Sequence, residues 1–269
     1  MTNPETPQVS GEMASDKTAS GGTATGETVT AALLVIGDEI LSGRTKDRNI
    51  GTIAEHLTGI GIALSEVRVV GDKSADIGVA VNALRSRYTY VFTTGGIGPT
   101  HDDITADSIG AAFGVAVDID ARAVAMMAPV YAARGIPLTP ARLRMARIPA
   151  GAELIANELS AAPGFRIANV FVLAGVPDIM KSMLDAATEQ LRTGPKMYSV
   201  SIVLSKPEGE IAELFATHQS AYPDIAMGSY PSFEDGRYRT ELVLRGVDPV
   251  RLEDARTGLA HALAERELL

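Results

Sequence analysis

The sequence predicts an α/β fold: a three-layer αβα sandwich built on a mostly parallel sheet, followed by a small α+β unit. Three observations predict it. Short apolar, β-branched runs at 31–36 (AALLVI), 64–70 (LSEVRVV), 88–93 (YTYVFT) and 169–173 (NVFVL) read as buried strands. Segments of helical spacing separate them, and strands alternating with helices specify a parallel sheet covered on both faces. Beyond Thr193, Gly194 and Pro195, which read as a hinge, the order changes to β-α-β-β-α, the signature of a smaller α+β layer.

Taken in order, residues 1–29 are rich in Thr, Ser, Gly, Glu and Pro without an apolar period, and read as a disordered tail. Strand 31–36 runs into Gly37, Asp38 and Glu39. Ile50, Ile53, Ala54 and Leu57 share one side of a helix over 49–57. A second strand (64–70) and a second helix (77–84) follow. Strand 88–93 opens into the glycine-rich loop TTGGIGPTHDDIT and a helix at 106–113. A short strand (115–119), a helix (121–133) and a short helix (141–146) beside Pro137 and Pro140 lead to strand 169–173. The turn Ala174, Gly175, Val176, Pro177, Asp178 then starts a helix reaching about residue 191. The last part carries strands at 198–204, 225–229 and 238–244 and helices at 209–219 and 249–264. The expected division is 1–29, 30–194 and 195–269.

Bulk properties narrow the function classes. A chain of 269 residues suits one large and one small domain, and 46% hydrophobic residues support a sizeable core. The net charge of −9 disfavours nucleic acid and anionic membranes as partners. The last part is also acidic, with 8 Lys and Arg against 12 Asp and Glu from Lys196 onward, and it lacks a Gly-x-x-Gly turn, which argues against RNA clamping. With no cysteine, disulfides and thiolate metal sites are excluded. No apolar run reaches the ~18 residues of a membrane span and the N-terminus lacks a signal-peptide pattern, so a cytoplasmic location is expected.

Ligands of open parallel sheets gather at the carboxyl ends of strands. Three such ends carry unusual residues: Gly37-Asp38-Glu39, the 94–105 loop, and Gly175 to Asp178, with Gly175 and Pro177 as binding candidates. Gly95, Gly96 and Gly98, between a strand and a helix, aim backbone N–H groups at one point and suit a phosphate. The adjacent acids would repel that phosphate unless a cation or a hydrogen-bonding neutral group stood between. Asp38, Glu39, Asp102 and Asp103 are hard oxygen donors for a divalent ion such as Mg²⁺, Mn²⁺ or Co²⁺, or general bases; one of the last pair has an ordinary alternative role as a helix cap. Thr94, Thr100 and Thr105 offer hydroxyls for phosphate or for a first-turn cap. Asp47 and Asn49 follow the first acidic turn closely enough to line the same pocket, with capping as the plain alternative for Asp47. Arg44 and Lys46 read as solvated charges or phosphate counter-ions, and His101 as an ordinary loop histidine. Gly-x-Ser-x-Gly, Gly-x-Gly-x-x-Gly and Walker signatures are missing, which removes acyl transfer, dinucleotide oxidoreductases and P-loop kinases from consideration.

GDEILSGRTKDRN (37–49), TTGGIGPTHDDIT (93–105), PAGAELIANELSAAPGF (149–165) and LAGVPDIM (173–180) resemble the ordered motifs of the molybdopterin-binding domain superfamily, over roughly residues 31–194. The competence/damage-inducible protein A (CinA-like) branch, which includes the molybdopterin-binding-like part of eukaryotic FAD synthase, fits best. The tail after 195 is similar to the KH-like α+β unit that follows in that branch. The resemblance implies an αβα sandwich, often a homo-oligomer, with a small-molecule nucleotide or pterin ligand. Asp38 and Asp103 match acids of the family pocket, which makes them the pair expected to hold metal, and Gly95, Gly96 and Gly98 match its phosphate turn. Asn157, Pro163 and Gly164 match a segment without an assigned role.

The activity implied is divalent-metal-dependent pyrophosphate cleavage of ADP-ribose, FAD or a similar dinucleotide. The alternatives are a non-catalytic molybdopterin or nucleotide binder and a molybdopterin adenylyltransferase of molybdenum cofactor synthesis. Ala174 and Ala161 depart from a usual Pro and Thr, which bears on substrate choice. The deamidase domain of longer competence proteins has no counterpart in these residues, so nicotinamide-nucleotide deamidation is not expected.

Overall fold

A computed structural model describes residues 28–234 and 236–269. The tail expected over 1–29 lies outside the described residues as far as 27, and Val29 already belongs to the first strand.

The chain runs β1 (Val29–Ile36), α1 (Asp38–Leu41), α2 (Asn49–Gly59), β2 (Ile62–Val70), α3 (Ser74–Arg85), β3 (Tyr90–Thr94), α4 (Thr105–Phe113), β4 (Val117–Ile119), α5 (Ala121–Ala133), α6 (Pro140–Leu143), β5 (Arg147–Pro149), β6 (Glu153–Ile155), β7 (Gly164–Ile167), β8 (Val170–Leu173) and α7 (Pro177–Thr188). Six strands form one sheet in the order β2-β1-β3-β8-β7-β6. The first four are parallel; β6 and β7 continue the sheet antiparallel.

Alternation along β1 explains the layers. Ala32, Leu34 and Ile36 pack with Ile77, Val81 and Leu84 of α3, Ile109 of α4 and Met127 of α5. Ala31, Leu33 and Val35 pack with Ile53 and Leu57 of α2 and Met180, Met183 and Leu184 of α7. The sandwich is therefore αβα. Phe171 is fully buried in the second layer, stacked on Phe92 at 5.2 Å and edge-on to Tyr90 at 5.8 Å. Truncating such an aromatic costs about 3–5 kcal/mol.

The last part runs β9 (Tyr198–Leu204), α8 (Glu208–Ala221), β10 (Ala226–Glu234), β11 (Arg237–Gly246) and α9 (Pro249–Glu265). Its antiparallel sheet, ordered β10-β11-β9, has its own core of Ile202, Leu204, Ile211, Leu242, Leu244, Leu252 and Leu259. The segment read as a hinge packs closely on the main sandwich: a side chain at Gly61 would lie 2.5 Å from the Pro195 carbonyl oxygen.

One expectation needs correction: Asp38 and Glu39 do not sit in a simple turn but in the first turn of α1. Within 147–167, a stretch to which the sequence reading assigns no element, lie β5, β6 and β7, and β5 pairs with β4 in a separate two-stranded sheet. Each is only three or four residues long, too short for alternation to register in the sequence. Among the described residues, no helix is long and apolar enough to cross a membrane.

Candidate functional site

The carboxyl ends of β1, β3 and β8, neighbours in the sheet, open onto a cavity of about 930 Å³. Its floor is built by the glycine turn after β3. Gly95 and Gly96 both take positive φ, 101° and 67°. A side chain on Gly95 would collide with the carbonyl oxygen of Ile36, and one on Gly96 with the Thr105 hydroxyl, so only glycine fits either position. Thr105 is fully buried and holds the turn from below. Its hydroxyl donates to the Gly95 carbonyl at 2.9 Å and its N–H to the Gly96 carbonyl at 3.0 Å. The N–H groups of Gly96, Ile97 and Gly98 donate to no protein acceptor among the described residues. They belong to the turn that the sequence reading assigns to a phosphate.

The side walls carry two orphaned polar atoms. Asn49, at the start of α2, is 4% exposed; its amide nitrogen donates to the Gly175 carbonyl at 2.8 Å, while its Oδ1 is buried without a partner. Thr94, at the end of β3, is 1% exposed and its hydroxyl also lacks a partner. Buried polar atoms are seldom left unpaired, and two on one cavity wall fit a ligand that completes them.

Of the acids, Glu39, Asp47 and Asp103 line the cavity; Asp38 and Asp102 do not. Asp38 turns toward the end of β2: a side chain on Gly71 would collide with its Oδ1, and its backbone N–H donates to Asp72 Oδ2 at 2.9 Å. The Glu39 carboxylate folds over Gly37, where an added side chain would meet it at 2.6 Å. Adjacent residues of a helical turn point about 100° apart, so two neighbouring acids cannot both face one pocket. Asp103 bends back on its own loop, accepting from the Thr100 N–H at 2.7 Å and hydroxyl at 2.5 Å through Oδ2. Asp47 accepts from the Ile50 N–H at 2.8 Å, capping α2 while also lining the cavity.

Gly175 and Pro177 line the cavity as well, whereas Gly37, Thr100 and Thr105 support it from outside. Gly37 donates to the Val70 carbonyl, which ties the start of α1 to the end of β2. Of the expected metal pair, Asp103 thus lines the cavity and Asp38 does not, and among the described residues no three His, Asp or Glu side chains form a ligand set.

Several contributors escaped the sequence. Arg144 donates to the carbonyls of Thr100 and Asp103, at 3.1 and 3.3 Å, and clamps the loop. Asn157 organises the wall made by Ser160, Ala162 and Pro163. Its amide nitrogen donates to Ser160 Oγ (2.5 Å) and the Ala162 carbonyl (3.1 Å), and its oxygen accepts from the N–H of Leu159 (3.0 Å). The loop is tight enough to hold Ala161 at φ 64°. Arg144 reaches its carbonyls from a distant segment, whereas the partners of Asn157 lie within five positions of it.

Residues 32–193 match the family described as "Probable molybdopterin binding domain", and residues 196–269 match "FAD synthase, middle domain". A CinA-like protein of Desulfosudis oleivorans is 34% identical over 74% of this chain and 51% of its own length. A "Probable FAD synthase" of Caenorhabditis elegans is 29% identical over 87% of this chain and 50% of its own. The chain thus spans about half the length of these two relatives. The crystal structure of CinA from Thermoplasma acidophilum, 34% identical, superposes with a TM-score of 0.55 over 60% of this chain and 96% of that one. The glycine turn, the strand ends around it and these matches agree: the chain belongs to the molybdopterin-binding domain family, in its CinA-like branch with FAD synthase relatives.

Proposed function

We propose that this cavity binds an ADP-linked dinucleotide, such as ADP-ribose or FAD, and that the protein cleaves its phosphoanhydride with a divalent metal ion. The observation that carries the reading is the meeting of free glycine-turn N–H groups with the orphaned Asn49 Oδ1 and Thr94 hydroxyl on one cavity wall. The N–H groups of Gly96, Ile97 and Gly98 would hold phosphate oxygens, and Thr94 would donate its hydroxyl to one of them. Asn49 Oδ1 accepts only, so it would take a hydrogen from a ribose hydroxyl or a ring N–H.

The donor chemistry fits a hard cation: Glu39 and Asp103 are oxygen donors on the cavity, and Mg²⁺-type ions are commonly held by one or two carboxylates together with substrate phosphates. Such an ion, when bound, supplies charge neutralisation at phosphorus and a more acidic water. Cleavage adds water across one P–O–P bridge and leaves AMP with a second phosphomonoester. Among the chain's own groups, Glu39 is the lining carboxylate with no hydrogen bond among the described residues, and so suits the general base.

The test is release of AMP from ADP-ribose or FAD by purified protein with Mg²⁺, Mn²⁺ or Co²⁺, abolished by EDTA. No release with any of the three ions overturns the reading. A second reading, a non-catalytic nucleotide or pterin binder, is favoured by the separation of Asp38 from Asp103. It expects calorimetric binding indifferent to EDTA and no turnover.

A further inference from the structure

The loop between α1 and α2 carries three cations at alternate positions, Arg44, Lys46 and Arg48, and all three line the cavity. None has a carboxylate or other side-chain partner among the described residues. Glu39 and Asp47 line the same cavity, yet neither pairs with them, since Asp47 is committed to the Ile50 N–H.

The loop is also held in place. The Thr45 N–H donates to the Glu39 carbonyl at 3.0 Å, and the Thr52 hydroxyl to the Arg48 carbonyl at 3.1 Å. Asn49 then ties the end of the strip to Gly175, beyond β8. Glu39, Asp47 and Asp103 line the same cavity, but the three exposed cations form no ion pair with them, so their charges stay available to an anionic ligand.

We infer that the Arg44-Lys46-Arg48 strip is a specificity element that reads the second phosphate of the ligand, so that the site discriminates nucleoside diphosphates and their esters from monophosphates. This rests on the reading that the cavity binds a phosphorylated nucleotide. The glycine turn offers neutral N–H donors and serves one phosphate; the strip offers up to three positive charges and responds to total ligand charge. A monophosphate seated on the turn gains little from the strip. A diphosphate extends its negative charge toward it.

The experiment is calorimetric titration of the full chain with ADP and with AMP, each with Mg²⁺, at low and high NaCl. The native protein is expected to bind ADP at least tenfold more tightly than AMP, with ADP affinity falling as salt rises. The triple variant R44Q/K46Q/R48Q, whose changes fall on exposed side chains, should lose most of that preference while keeping AMP affinity within about threefold. Exposed ion pairs are worth about 0.2–1 kcal/mol each, so about 1.4- to fivefold per cation is expected. The charge-keeping variant R44K/R48K should retain the preference. Equal binding of ADP and AMP by the native chain overturns the inference, as does a triple variant that keeps the full preference. Failure of the native chain to bind either nucleotide overturns instead the reading on which it rests.

Discussion

The Asn49 amide donates to the Gly175 carbonyl at 2.8 Å, joining the start of α2 to the turn that follows β8 across 126 positions of sequence. This bond occupies the Asn49 nitrogen and leaves its Oδ1 buried without a partner beside the cavity.

Replacing Asn49 by Ala removes that acceptor and leaves the Gly175 carbonyl without its partner. The expected cost is about 1–3 kcal/mol in stability, with at least a tenfold loss of nucleotide affinity. Thermal denaturation and calorimetry of the same variant separate the two effects. Unchanged affinity would mean that Oδ1 does not meet the ligand.

Gly95→Ala and Gly43→Ala form a pair. Both glycines have positive φ, 101° and 72°, but a side chain at 95 strikes the Ile36 carbonyl whereas one at 43 meets nothing within 4 Å. Gly43→Ala should cost about 1 kcal/mol, and Gly95→Ala more than about 3 kcal/mol, because β1 and the glycine turn must move apart. Urea denaturation midpoints decide it.

Asp103→Asn, Asp38→Asn and Asp102→Asn distinguish lining acids from outward ones. Only Asp103 lines the cavity and also accepts from the Thr100 N–H and hydroxyl. AMP release from ADP-ribose should fall at least a hundredfold in the first variant and less than threefold in the other two. Equal loss in Asp38→Asn would show that Asp38 reaches the ligand.

A pH effect is expected away from the site. Asp120 caps α5 by accepting from the Arg122 N–H at 2.7 Å, and its carboxylate pairs with the Arg122 guanidinium, also at 2.7 Å. The Arg122 side-chain hydrogen bonds hold its pKa down, at about 2 against an ordinary 3.8. A depressed carboxyl stabilises the fold fully above the unfolded pKa and loses that contribution as pH falls from about 4 through about 2. Asp120→Asn should therefore cost about 2 kcal/mol at pH 7 and progressively less between pH 4 and pH 2. Denaturation curves across that range check the sign; a constant difference would contradict the linkage.

Much of the fold was legible because local pattern and tertiary role coincide. The run 31–36 is buried on both faces and reads as such; the β-α-β-β-α order of the last part follows directly from its periods. Asp47 was legible as a cap, since a cap acts within four residues of its own position. Arg144 was not, because its partners are backbone carbonyls more than 40 positions away, and Asn157 was named in the sequence without a role. Nor were β6 and β7, whose burial depends on β8 beside them.

The sequence by itself determined the sandwich, the family, and the glycine turn after β3, because alternation, helical period and a glycine-rich run between a strand and a helix are all local signals. Only the tertiary structure decided which acids line the cavity. Asp38 and Glu39 are chemically alike and adjacent, and nothing in their order says which one α1 will turn inward. That choice follows from the packing of α1 against the end of β2, where the loop at Gly71 and Asp72 receives Asp38 and leaves Glu39 to the cavity.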